Sequence, residues 1–171
     1  MKRIFLLRHA KSSWDDQSLS DFARPLADRG RDTAPRMGAF MKAEGLAPEA
    51  VLCSAARRAV QTWEIIGPFL GSPEVRVEDT LYMAPPEVIL NRVRRLQEDI
   101  DSVLLIGHNP AFEELAVRLA GDGRKKAMKR VREKYPTCAL AVLRFDVDSW
   151  SVITQRSGFL ERFVRPADLV D

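Results

Sequence analysis

Short apolar runs alternate along the chain with segments in which apolar residues recur at spacings of three and four. Residues 3–7 form the first run and predict a buried strand that ends at Arg8. A polar stretch rich in Ser and Asp follows over 11–22 and reads as a loop. Pro25 and Gly30 lead into a helix predicted over 32–43, where Met37, Phe40 and Met41 share a face and Gly45 supplies a stop. Residues 51–53 predict a second strand. Ser54 stands where an N-cap would, and Ala59, Val60, Trp63, Ile65 and Ile66 carry a helix to about Phe69. A third strand is predicted at 75–77, and Pro85-Pro86 opens a helix through Ile89, Val93 and Leu96. Residues 102–106 give the clearest buried strand; Gly107 ends it and Asn109-Pro110 starts the next helix. Residues 139–145 and 150–155 predict a terminal β-hairpin or two edge strands.

This alternation predicts an α/β protein, a three-layer α/β/α sandwich around a mostly parallel central sheet. The 171 residues suffice for one well-buried core, and no linker or repeat divides them, so one domain spanning 1–171 is expected. A composition 46% hydrophobic and 30% charged is that of a globular chain. The net charge of +3, from 27 Lys+Arg against 24 Asp+Glu, is too small to argue for nucleic acid. The four apolar residues before Arg8 fall short of the ~7–15 of a signal sequence, and no stretch approaches the ~18 needed to span a bilayer. Cys53 and Cys138 form no CxxC pair. Reduced thiols in a cytoplasmic, monomeric protein are expected, with no membrane or nucleic-acid partner.

In open α/β sheets, ligands bind beyond the carboxyl ends of the strands. Three strand ends here carry chemistry: Arg8-His9, then Ser54 with Arg57-Arg58, and Gly107-His108-Asn109-Pro110. The chain has two histidines, and both occupy such ends. Guanidinium forks match the oxygens of a phosphoryl group in shape and charge, so arginines with an imidazole would neutralise it without a metal or other cofactor. A second, deprotonated imidazole can attack phosphorus and hold the phosphoryl group covalently. Helix N-termini at Ala55 and Asn109 would add N–H donors for the same anion.

These three segments resemble the histidine phosphatase superfamily, the phosphoglycerate-mutase-like fold. Leu7-Arg8-His9-Ala10 resembles its Arg-His-Gly signature, and Ser54 through Thr62 is similar to its Ser-x-x-x-Arg-Ala-x-x-Thr segment, which selects Arg58 over Arg57. Ile106 through Pro110 resembles its second histidine motif. Small size, Arg24-Pro25-Leu26, Arg29-Gly30 and Tyr135-Pro136-Thr137 are similar to the SixA group of phosphohistidine phosphatases. The resemblance covers essentially the whole chain. It implies that His9 is the nucleophile, that Arg8 and Arg58 grip the phosphoryl group, and that His108 stabilises developing charge. Ser12, Asn109 and Arg24 would be peripheral substrate contacts.

Two positions depart from the pattern. Ala10 replaces the usual Gly, and its methyl is expected near the phosphate. Where larger relatives place a carboxylic acid, this chain has Thr80, with Glu78 and Asp79 beside it as candidate acids. General acid catalysis is worth ~10²–10⁴-fold, and an alkoxide leaving group needs it more than an imidazole does. A P–N bond, as in phosphohistidine on a protein such as a phosphorelay component, is therefore the expected substrate. A small phosphate ester is the alternative, and a non-catalytic phosphate- or phosphoprotein-binding module is a different class of reading. Arg58 and His108 are separated by 50 positions already filled by predicted elements, which leaves no room for a lid insertion.

Other readings fit the residues less well. A cysteine-nucleophile phosphatase would use Cys53, but the spacing to Arg58 is one residue short of that loop, and the loop lacks glycines. A mutase would need a closed site. The Asp15, Asp16 and Asp21 spacing fits no metal pattern. Trp14 reads as a packing anchor or a pocket-rim residue, and Trp63 and Trp150 as core. Arg24 either braces the phosphate site or pairs with Asp21. Seven Lys/Arg residues within 124–134 predict a solvated helix face, with Met128, Val131 and Tyr135 turned inward. As His9 gains a proton, the rate is expected to fall on acidification within about pH 5–8.

Overall fold

In the computed structural model, which describes residues 1–169, seven strands form one sheet in the order β3-β2-β4-β1-β6-β7-β5. The strands are β1 Lys2–Arg8, β2 Ala50–Ser54, β3 Glu74–Glu78, β4 Ser102–Gly107, β5 Ala120–Gly123, β6 Leu140–Phe145 and β7 Gly158–Val164. Five helices accompany them: α1 Asp28–Ala43, α2 Arg57–Ile66, α3 Pro86–Arg94, α4 Ala111–Leu119 and α5 Lys125–Glu133. β1 pairs in parallel with β4, β4 with β2, and β2 with β3, whereas β6 runs antiparallel to both β1 and β7.

Strand side chains point alternately to opposite faces, so the apolar runs of β1 and β4 feed two cores at once. Ile4, Leu6, Val103 and Leu105 pack with α3, α4 and α5 on one face. Phe5, Leu7, Leu104 and Ile106 pack with α1 and α2 on the other. The result is the three-layer sandwich, with the carboxyl ends of β1, β2 and β4 opening at one edge. No described helix is long and apolar enough to cross a membrane.

Several boundaries differ from the sequence expectation. Helix α1 starts at Asp28, so Gly30 lies inside it rather than before it. A Cβ at Gly30 would come within 2.2 Å of the Lys11 carbonyl oxygen, and the missing side chain lets α1 press on the loop after β1. Gly45 takes a φ of 67° just beyond α1, as a stop should. Ser54 is the last residue of β2 rather than an N-cap; α2 begins at Arg57 and α4 at Ala111, two residues past the expected starts. Helix α2 gives way to a 3-10 turn over Gly67–Phe69, and α3 ends at Arg94.

The largest correction is at the carboxyl-terminal end. Residues 150–155 form no strand; Trp150–Val152 is a 3-10 turn, and the antiparallel partner of β6 is β7. The Trp150 indole N–H donates to the Ile100 carbonyl at 2.7 Å, and Lys2 Nζ stands 5.3 Å from the ring centroid. The apolar run there serves this plug. β5, with the sequence Ala-Gly-Asp-Gly, has the composition of a turn and carries no strand pattern.

Candidate active site

The residues following β1 and β4 and the first turn of α2 converge on one open cleft of about 290 Å³. Arg8, His9, Ser12, Arg24, Arg58, His108 and Asn109 all line it, as do Lys11, Trp14, Asp21, Met83 and Thr137. His9 leaves β1 with its ring buried. Its Nδ1 lies 2.7 Å from the Ala10 carbonyl oxygen, which can only accept, so Nδ1 carries the proton and Nε2 keeps its lone pair. Arg58 Nε donates to that Nε2 at 3.4 Å. The His9 and His108 ring centroids are 5.2 Å apart.

Arg58 is the hub. Its Nη1 donates to the Asp21 carbonyl at 2.7 Å, and its Nη2 to the Asp21 carboxylate at 3.0 Å. The same Nη2 lies 3.4 Å from His108 Nδ1, whose Nε2 lies 2.7 Å from Ser54 Oγ. Ser54 thus orients the second histidine. Arg8 Nη1 donates to the Tyr135 carbonyl at 2.9 Å, while its buried Nε has no partner among the described residues. Asn109 donates to the same Tyr135 carbonyl at 3.0 Å and accepts from the Glu113 N–H at the start of α4. Ser12 Oγ accepts from Arg24 Nη1 at 2.9 Å. Arg24 ties down the loop after β1 and pairs with Asp21 at 3.1 Å.

Some contributors carry no chemistry of their own. Thr62, at the end of the second motif, accepts from the Ala10 N–H at 3.0 Å and donates to the Arg58 carbonyl at 2.8 Å. It ties the His9 loop to the helix that carries Arg58. The Ala10 methyl does not crowd the anion site, because it is fully buried among core residues of α1 and α2. Trp14 is a rim residue, not a packing anchor: it is 67% exposed, with the Arg24 guanidinium stacked 3.5 Å from its ring centroid.

Neither Glu78 nor Asp79 lines the cleft. The Glu78 carboxylate is gripped by Arg92 through bonds of 2.8 and 2.9 Å. The one carboxylate among the described lining residues is Asp21. A 2.5 Å hydrogen bond from Tyr82, together with Arg58 and Arg24, holds Asp21 down at about 2. The sequence offers Asp21 as a pair for Arg24 or as one of three aspartates without metal spacing, and gives no sign of Tyr82; the contact joins positions 61 apart and leaves no local pattern. Both cysteine thiols are buried and pushed up to about 12, which leaves them protonated and poor nucleophiles. Among the described residues, no cluster of His, Cys, Asp or Glu is placed to ligate a metal.

Burial pushes His9 down to about 3, with His108, Arg58 and Arg8 adding repulsion, and pushes His108 down to about 4. The expected loss of rate through His9 protonation at about pH 5–8 is therefore corrected: the ring is already neutral there. NMR titration of the ring nitrogens should show no protonation of His9 between about pH 8 and pH 5. A midpoint near the ordinary 6.5 would contradict the burial argument. Because the unfolded state binds these protons more readily, stability is complete above 6.5 and is lost as pH falls toward the folded values. Urea midpoints should fall over that window.

Comparison with known proteins places these features. Residues 4–82 match the profile of the Histidine phosphatase superfamily (branch 1), a span that holds His9 and Arg58. An uncharacterized protein of Mycobacterium tuberculosis is 39% identical over 140 residues, covering 81% of this chain and 86% of the relative. The phosphohistidine phosphatase SixA of Escherichia coli K12 is 32% identical over 126 residues, covering 68% of this chain and 73% of its own. The solved structure of the protein histidine phosphatase SixA complexed with tungstate superposes with a TM-score of 0.78 at 25% identity, covering 97% of this chain and 98% of that one.

Proposed function

Because this chain belongs to the histidine phosphatase superfamily, we propose that it is a metal-independent phosphatase that hydrolyses phosphohistidine on a protein through a phosphoryl group held on His9. Nε2 of His9 attacks phosphorus; the Nε2–P bond forms as the substrate P–N bond breaks, and the substrate imidazole departs neutral once its ring carries a proton. Water then attacks phosphorus, releases orthophosphate and restores the Nε2 lone pair. Arg8, Arg58 and His108 hold the phosphoryl oxygens and balance their charge. The similarity to a tungstate-binding protein accords with such an anion site.

One observation carries the choice of a P–N bond: the carboxylate that lines the cleft, Asp21, is held ionised at about 2 and has no proton to give at neutral pH. An alkoxide would leave unassisted, whereas an imidazole leaves readily. The openness of the cleft, with Trp14 and Met83 exposed on its rim, suits a phosphoryl group displayed on a protein surface. Two peptides of one sequence, phosphorylated on histidine or on serine, test this. We expect kcat/KM to favour phosphohistidine by about 10²-fold or more. Equal values, or a preference for phosphoserine, would overturn the assignment.

A further inference from the structure

Beside the phosphoryl cleft lies a larger cavity of about 670 Å³, which shares Arg8, Lys11 and Thr137 with it. Six of its lining side chains are cationic: Arg8, Lys11, Arg29, Arg36, Lys134 and Arg165. No lining residue is acidic. In a chain whose net charge is +3, this is a strong local concentration. Three of the six are engaged: Arg165 pairs with Asp168 at 2.8 Å, Arg36 donates to the Leu169 carbonyl at 2.9 Å, and Arg8 donates to the Tyr135 carbonyl at 2.9 Å. Lys11, Arg29 and Lys134 are exposed and form no ion pair among the described residues. These three like charges, close together and unpaired among the described residues, raise the local potential and favour an anionic partner.

The form of the cavity narrows the class of anion. Its cations come from separate places: the loop after β1, the face of α1, the segment after α5 and the turn after β7. Three of them sit on long, solvated side chains, unlike the buried cradle around His9. Such a spread suits several carboxylates along a segment better than one compact phosphate. Nucleic acid fits poorly, because no aromatic ring lines the cavity for base stacking.

We propose that this cavity is a second anion subsite, which receives acidic side chains flanking the phosphohistidine of a protein substrate on the side that meets Lys11. The proposal rests on the phosphohistidine-protein reading above and adds to it a charge preference in the substrate. Arg8 belongs to both chambers, so an acidic segment seated in the larger one lies next to the phosphoryl site. Opposite charges steer encounter and improve capture without acting on the bond that breaks, so the effect belongs in KM and fades with salt.

Two phosphohistidine peptides, one flanked by Asp and Glu and one by Asn and Gln, should be compared on the wild type and on the double variant Arg29→Gln/Lys134→Gln. Both residues are exposed and outside the catalytic cleft. The wild type is expected to favour the acidic peptide by about 10-fold in kcat/KM at low ionic strength, through KM. In the variant the preference should collapse, with turnover of the neutral peptide and of free phosphoramidate unchanged. No preference in the wild type, or a preference that survives the substitutions, overturns the proposal. Binding of a labelled, unphosphorylated acidic peptide, read by fluorescence anisotropy, decides the subsite independently of turnover. If neither enzyme form cleaves any phosphoramidate while that peptide binds the wild type and not the variant, the phosphatase reading fails and the subsite stands. If inorganic pyrophosphate binds the variant-sensitive site and the peptide does not, the cavity serves a small polyanion and the proposal falls.

Discussion

Replacing His9 with alanine is expected to lower phosphohistidine and phosphoramidate turnover by at least about four orders of magnitude, as the loss of a covalent nucleophile does elsewhere. The expectation follows from placement. Nδ1 of His9 is fixed on the Ala10 carbonyl, Nε2 is presented beside Arg58, and burial, which pushes the ring down to about 3, keeps it neutral near pH 7. The alternatives are engaged elsewhere: Asp21 is bound by Tyr82 and Arg58, His108 is held by Ser54, and the cysteines lie outside the cleft, buried and protonated. Affinity for tungstate should change little, because Arg8, Arg58 and His108 remain. Steady-state kinetics with a parallel binding titration checks both halves. A variant that keeps turnover within tenfold of the wild type would show that the nucleophile lies elsewhere.

The second large effect is expected at Arg58. Its guanidinium touches both histidines and fixes the loop that carries Asp21. Removing one donor to developing charge costs about 10²–10³-fold, and Arg58→Ala removes both a donor and a frame, so kcat/KM should drop by about 10³-fold or more. Arg58→Lys tests charge against shape. A lysine restores a cation but not a planar fork that reaches His9, His108 and Asp21 together, so it should recover no more than about tenfold. Kinetics of the two variants, with thermal melts to confirm folding, read this directly. Full recovery by lysine would mean that charge alone suffices.

The parts of this site legible in the sequence are those set by local pattern. β1 and β4 are continuous apolar runs because both faces of those strands are covered, and such runs leave a clear trace. The residue after such a run stands at the mouth of the sheet, which is why His9 and His108 could be placed before any contact was known. Contacts across the chain were not legible. Asp21 meets Tyr82 across 61 positions, and Thr62 reaches back 52 to hold the Ala10 N–H. Asp21 and Tyr82 are single polar residues in segments that read as ordinary loop, and Thr62, although the second motif ends on it, carries no local sign of the group it bonds.

The errors near the carboxyl terminus have a common cause. β7 carries Glu161 and Arg162 in its interior and pairs irregularly with β6, so its alternation is broken. Trp150 and Ile153, by contrast, look like strand residues while plugging the core from a turn. Lys2 reinforces that plug from within, with Nζ donating to the carbonyls of Glu98 and Ile100 at 2.7 and 2.8 Å. Tertiary packing overrode local propensity in each case.

The account turns on a phosphoryl group carried by His9, and rapid-quench capture of the enzyme with a labelled phosphohistidine peptide tests it most directly. Within the first turnover, in the presence of a chelator, the label should appear on the protein, be lost in acid, survive in base, and map to the peptide containing His9. Turnover with no labelled enzyme at any quench time, or label on another residue, would contradict it.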